Sequence, residues 1–230
     1  MDYEDLLNLV KARRSIRSFK TDPIPDEYVE KIIEAARWAP SGANSQPWEF
    51  IVVKDKEIKD KIVNIVHEHS EYGRKVELTR EEDLRFPSAS SPAREPGYRN
   101  APVFIILCGD PRTKEAYPLL TMLTRGDSHF ASSLASAFLY MTLAATTLGL
   151  GSQWVSATGH PFVKCLLKEL LGIPQKLEIY DMMALGYPAH QPKKRPVRER
   201  VEMVHDGRYD KAKYRSDEEI RNFIVKLRKG

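Results

Sequence analysis

At 230 residues, 42% of them hydrophobic and 30% charged, the chain suits one compact domain, or at most two, with a core of its own. A formal net charge of +4 is too small an excess to imply nucleic acid as a partner, although the basic residues are unevenly spread. Cys108 and Cys165 lie far apart in apolar runs, with no CxxC or Cys/His metal spacing. They read as buried free thiols of a reducing compartment rather than as a disulfide. The opening MDYEDLLNLV is acidic and lacks the basic n-region of a signal peptide, so a cytoplasmic location is expected.

Leu6, Leu7 and Val10 recur at spacings of three and four, which predicts a short amphipathic helix over 3–12 leading into RRSIR (13–17). Pro23 and Pro25 break the chain. A second helix is expected from Asp26 to Trp38, with Val29, Ile32, Ile33 and Ala36 on one face. APSGANSQP (39–47) has the composition of a loop and feeds EFIVV (49–53), a strand. A charged helix follows from about Lys56 to His69. Between Glu71 and Asn100 the pattern dissolves into charge, Ser and Pro, as in a lid or a disordered excursion. PVFIILCG (102–109) reads as a buried strand.

ASSLASAFLYMTLAATTLGL (131–150) is uncharged and about as long as a membrane span. Its Ser, Thr and Ala content, and the lack of a second span or aromatic belt, favour a buried central helix, with Asp127 in the capping position. Residues 152–156 form a short strand, 161–171 a helix stopped by Gly172 and Pro174, and EIYDMMAL (178–185) another strand. In the tail, Ser216 and Glu219 form a capping box. Behind it Ile220, Phe223, Ile224 and Leu227 make an apolar stripe that must bury against the chain's own core or a second subunit. The elements are of mixed α and β type, and their strand order is not readable.

Two basic clusters stand out, Arg13, Arg14 and Arg17 in the first, Lys193, Lys194 and Arg195 at the front of KKRPVRER (193–200) in the second. An arginine fork with a serine hydroxyl and loop amides is a good phosphate cradle, because guanidinium pairs bidentately with phosphate oxygens. The sequence has no phosphate-binding G-x-x-x-x-G-K-[ST], and GLGSQW (149–154) lacks the third glycine of a dinucleotide fingerprint. No G-x-S-x-G marks a serine hydrolase. His67 and His69 are two apart on a helix, on different faces, so no metal site is expected there. Trp48 and Trp154 read as core aromatics.

RRSIRSF (13–19), APSGANSQPWEFIVV (39–53), LGLGSQWVS (148–156) and ALGYPA (184–189) with the basic segment up to Pro196 together resemble the nitroreductase family of FMN-dependent oxidoreductases, in order and spacing, over residues 3–200. The resemblance implies an α+β fold: a central mixed β-sheet flanked by helices, in an intertwined homodimer with two FMN sites at the interface. It makes residues 1–200 one FMN-binding domain with a variable lid at 71–100; beyond it, 201–230 is an extension whose helix from Ser216 is expected to clasp the partner subunit. By the same resemblance Arg13, Arg14, Ser15 and Arg17 hold the FMN phosphate and ribityl chain, one arginine reaching the N1–C2=O edge. Lys194 and Arg195 close on the phosphate from the other side. Pro40, Ser41, Gly42 and Asn44 reach the flavin from the partner subunit. Ser156, Ala157, Thr158 and Gly159 form the stretch whose backbone amide faces flavin N5.

The implied activity is electron transfer from NADH or NADPH to small acceptors such as nitroaromatics or quinones in a ping-pong cycle, with no side-chain acid or base required. The loop PSGANSQPW and the following VVKDKEIKDKI are also similar to the reductive dehalogenase branch that includes iodotyrosine deiodinase. The spacing of Glu71, Tyr72, Lys75 and Tyr98 does not reproduce that branch's Glu-Tyr-Lys grip. A non-catalytic FMN-binding electron carrier is the remaining alternative. Phe86 or Tyr98 is a candidate cover for the flavin.

Overall fold

The computed structural model describes residues 2–91, 95–192 and 196–229. It divides into two compact units, residues 2–69 with 95–192, and residues 70–91 with 196–229. The first unit holds a four-stranded sheet in the order β1-β2-β4-β3, with β1 at Trp48–Val53, β2 at Val103–Gly109, β3 at Gly151–Val155 and β4 at Glu178–Gly186. All three strand pairings are antiparallel. The expected mixed sheet is therefore corrected: among the described residues the parallel component is one isolated bridge, Ser15 with Ser152, at the β3 edge.

Strand β2 is buried along all seven residues, and its alternation builds two cores. Phe104, Ile106 and Cys108 face one side, where α3 (Lys56–Glu77) contributes Ile62 and Val66 and α5 (Pro161–Leu171) contributes Val163 and Leu167. Val103, Ile105 and Leu107 face the other, covered by α2 (Asp26–Arg37) and α4 (Leu119–Thr147). α1 (Tyr3–Ala12) is held by a reciprocal Asp2–Asp5 capping box and buries no side chain. α5 stops where expected, at Gly172 in the left-handed region at φ 64°.

Helix α4 starts at Leu119, well ahead of the expected 131. Asp127 is therefore an exposed residue inside the helix and not its cap. It pairs with Lys114 at 2.7 Å, which holds its carboxyl below the usual range. By length and composition α4 is the one helix among the described residues that could span a membrane; here nine of its residues are buried, including Phe130, Phe138 and Met141 beneath the sheet. The expected pair of buried thiols is half right. Cys108 is buried, and burial pushes its thiol up to about 12, whereas Cys165 on α5 is exposed; both are free.

The expected end of the third helix near His69 is early, since α3 continues to Glu77. In the second unit, 3₁₀ turns follow at Glu82–Leu84 and Pro87–Ser90. The tail helix α6 (Asp217–Lys229) carries the expected capping box: Glu219 N–H donates to Ser216 Oγ at 3.2 Å, and Ser216 N–H to Glu219 Oε2 at 2.8 Å. Arg221 pairs with Glu81 and Asp83, and the Arg228 guanidinium lies over the Phe86 ring. Ile220, Phe223 and Ile224 are half-buried, while Leu227 stays exposed.

Candidate functional site

The arginine segment lies along the sheet edge. Ile16 N–H donates to Ser152 O at 2.9 Å, and Lys20 N–H to Tyr187 O at 2.9 Å. Ala189 N–H donates to Ser18 O at 3.0 Å. Residues 15–20 are thus stitched to the start of β3 and to the chain leaving β4. Ile16 is buried, packed so tightly on Gly151 that a Cβ there would lie 2.5 Å from Ile16 Cγ1. In extended chain, alternate side chains point to opposite sides. With Ile16 inward, Arg17 is exposed and Arg13 and Ser15 are half-buried.

The three arginines are not equivalent. Arg14 Nη1 donates to the carbonyls of Lys11 and Arg13, so this guanidinium is spent on the C-terminus of α1, where a cation belongs. The side chains of Arg13 and Arg17 form no hydrogen bond or ion pair with any described residue. The backbone under Arg17 is fixed from behind: a Cβ on Gly97 would sit 1.9 Å from Arg17 O. Substituting Gly97→Ala forces these two segments apart. It should cost about 2 kcal/mol of stability by overpacking and weaken any ligand held by Arg17; urea unfolding with a parallel binding titration checks both.

Strand β3 leads away from this edge to the 3₁₀ turn Ser156–Gly159. Thr158 is fully buried, its hydroxyl donating to Val155 O at 2.8 Å, while Ser156 is exposed and Ala157 and Gly159 are half-buried. Four residues of strand separate Ser152 from Ser156, roughly 13 Å at 3.3 Å per residue.

The loop before β1 stands at the other edge of the sheet. Gly42 N–H donates to Ser133 Oγ of α4 at 3.1 Å, and Gln46 N–H to Ser41 Oγ at 3.0 Å. Ala43, Asn44 and Gln46 all have positive φ, at 49°, 52° and 43°. Such strain on residues with a Cβ collects where function holds the backbone in place. Pro40 and Asn44 are exposed. With β2 and β4 between β1 and β3, about 14 Å of sheet separates this loop from the arginine edge. Edge strand β3 thus joins the segment of Arg13, Ser15 and Arg17 at its start to Ser156–Gly159 at its end, while Pro40, Ser41, Gly42 and Asn44 lie at the opposite edge of the sheet. Lys194 and Arg195 lie outside the described residues.

Several contacts were not foreseen from the sequence. Ser133, Tyr117 and His129 brace the loop: a Cβ on Gly42 would meet the Tyr117 ring at 3.0 Å and His129 Nδ1 at 3.3 Å. Asp181, an acid inside the apolar run EIYDMMAL, accepts a hydrogen bond from Trp154 Nε1. A charge inside a strand pattern was the available signal. Trp154 is 39% exposed rather than core, its ring stacked on Phe138 at 3.9 Å. Tyr98 is 5% exposed and packs edge-on against Phe104, so it belongs to the core and covers no ligand. The His69 ring lies against that of His160, with centroids 4.0 Å apart and planes tilted by 35°. Among the described residues, no group of three or more His, Cys, Asp or Glu could hold a metal.

A sequence model described as the nitroreductase family matches residues 10–187. A protein of Archaeoglobus fulgidus, with the provisional name NADH dehydrogenase/NAD(P)H nitroreductase, is 32% identical over 185 residues, 80% of this chain and 86% of its own. Among solved structures, an oxidised iodotyrosine deiodinase bound to FMN and 3-iodo-L-tyrosine superposes with a TM-score of 0.71. It is 25% identical, and the match covers 89% of this chain and 100% of that one. A nitroreductase with bound FMN from Bacteroides fragilis shares the fold at a TM-score of 0.62 and 24% identity, over 88% of this chain and 99% of its own. The match runs unbroken from the arginine segment through the strained loop and the sheet to the turn after β3, and the chain belongs to the nitroreductase family.

Proposed function

We propose that the protein is an FMN-dependent oxidoreductase that passes electrons from NADH or NADPH to small acceptors such as nitroaromatics or quinones. The observation that carries this reading is the pair of guanidinium groups without a partner among the described residues, Arg13 and Arg17, on either side of Ser15 at the sheet edge. Two unpaired cations beside a hydroxyl fit a phosphate dianion. Bound there, FMN supplies the redox chemistry, accepting and donating an electron pair. The chain's own part is to bind and orient. Arg13, Ser15 and Arg17 hold the phosphate end, a backbone N–H of Ser156–Gly159 donates to the ring, and a nearby arginine stabilises negative charge at its N1 edge. Lys194 and Arg195 are assigned to the phosphate by resemblance.

A homodimer is part of the proposal. The strained loop lies at the edge of the sheet opposite the arginines, and by the family resemblance it serves the flavin of a second copy. α4 supports this, exposing Leu119, Leu120 and Leu123 at 67%, 74% and 71% along an outward side that is uncharged from Ser128 onward. The test is the visible spectrum of purified protein before and after FMN and gel filtration, then bleaching by NADH or NADPH. Retained flavin that bleaches and is reoxidised by an acceptor supports the enzyme. Retained flavin without turnover makes the protein a carrier, and a colourless product after reconstitution removes the reading.

A second reading, reductive dehalogenation of a halogenated aromatic, is favoured by one observation: α3 extends far enough to carry Glu71, Tyr72 and Lys75 on its last turns. Against it, Glu71 is already paired with Arg74 at 3.3 Å. Turnover of iodotyrosine by the reduced, FMN-loaded protein would establish it, and none would remove it.

A further inference from the structure

Strand β4 carries a carboxyl group where a central strand should be apolar. Asp181 is 8% exposed. The ladder slips beside it: Leu107 pairs with Asp181 but Cys108 with Ile179, leaving Tyr180 as the extra residue of a bulge. A bulge re-aims the side chains around it. Here the Asp181 carboxyl reaches the edge strand, where one oxygen accepts from Trp154 Nε1. The other oxygen and the Tyr180 carbonyl close over the turn after β3. A Cβ on Gly159 would lie 3.1 Å from Asp181 Oδ1 and 2.9 Å from Tyr180 O.

We propose that Asp181 is a positioning residue for the candidate flavin site: as a carboxylate it ties β3 down through Trp154 and seats the Ser156–Gly159 turn, and protonation loosens both, so that cofactor affinity depends on pH. This rests on the flavin reading of the turn. Few groups face the carboxyl. β3 presents the Trp154 indole and the turn presents Gly159. α5 presents Lys164, itself paired with Glu178 at 3.2 Å, and β4 adds Tyr180. Behind Trp154, α4 offers the uncharged Phe138 ring. Burial pushes the Asp181 carboxyl from 3.8 up to about 6, against the pull of Trp154 and Lys164, so the switch falls between a neutral and a mildly acidic medium.

Two measurements on the full chain test this. In the flavin-free protein, tryptophan emission should titrate with a midpoint near pH 6, and the titration should vanish in both Asp181→Asn and Trp154→Phe. FMN affinity should fall about tenfold from pH 7 to pH 5, because only the ionised fraction is binding-competent. Asp181→Asn mimics the protonated carboxyl, neutral but still an acceptor for Trp154, so at pH 7 it should bind as weakly as wild type does at pH 5 and lose the extra pH dependence. Asp181→Ala should bind weakly throughout. The FMN phosphate itself ionises near pH 6, so riboflavin is titrated beside it. Emission that does not titrate between pH 5 and 7, or identical affinity profiles for wild type and Asp181→Asn, overturns the proposal. Absence of FMN binding at every pH removes the flavin reading and the link with it, while the emission titration still reports on Asp181 alone.

Discussion

Replacing Arg13 and Arg17 together by alanine is expected to weaken FMN binding about a thousandfold while leaving the fold intact. Each charge-assisted hydrogen bond to a phosphate contributes about 1.5–3 kcal/mol, and about 4 kcal/mol for the pair corresponds to three orders of magnitude. Neither side chain has a described protein partner, so nothing internal is left unsatisfied when they go. Arg14→Ala should behave in the opposite way. Its guanidinium serves the carbonyls of Lys11 and Arg13, so its loss should cost about 1 kcal/mol of stability and little affinity. Fluorescence titration of FMN at fixed salt, with circular dichroism on each variant, separates the two effects. A double variant that binds within tenfold of wild type would remove this face as the phosphate cradle.

Asp181→Asn should make the protein more stable at pH 8, by about 3 kcal/mol. The folded carboxyl titrates at about 6 and the unfolded one near 3.8, so the native state binds this proton more tightly. That contribution is fully present below about pH 3.8 and is lost as pH rises through 6. Above it the native chain carries the whole cost of a buried carboxylate, about two pKa steps at 1.36 kcal/mol each. Asparagine never pays it. Urea unfolding of both proteins from pH 4 to pH 8 should therefore show a gap that is small near pH 4, opens up to about pH 6 and stays constant above it. An Asp181→Asn protein less stable than wild type at pH 8 would show that ionised contacts of this carboxyl outweigh its desolvation. A residue that lowers stability but orders a site is the familiar trade between folding and function.

What could be read in advance was local. Gly172 with Pro174, the Ser216–Glu219 box and the unbroken apolar run of β2 each act within a few residues, and each appears where its chemistry requires. The two ends missed, at 119 and 77, share a cause. Arg125, Asp127 and the charges of 71–77 interrupt the apolar pattern, but a charge on the exposed side of a helix interrupts nothing physical. The site was legible as a set of blocks, because Arg13, Ser15, Arg17 and the 156–159 turn belong to short runs of distinctive composition. The division of labour within it was not legible. Whether an arginine faces a ligand or its own helix end depends on the Ser15–Ser152 bridge, a pairing between residues more than a hundred positions apart. The bulge that turns Asp181 depends in the same way on the register between β2 and β4.

The strand order bears on how the chain is made. β4, last of the four in sequence, lies between β2 and β3, so neither has its full set of neighbours until residue 186 has left the ribosome. Until then β2 offers VFIILCG as an open edge, apolar on both faces and uncharged, the kind of segment that pairs with other nascent chains. Released fragments ending before Glu178 should aggregate where the full chain does not. Synthesis from residue 109 to residue 186 is therefore the interval in which this protein most needs a chaperone, roughly 4–15 s at ordinary elongation rates.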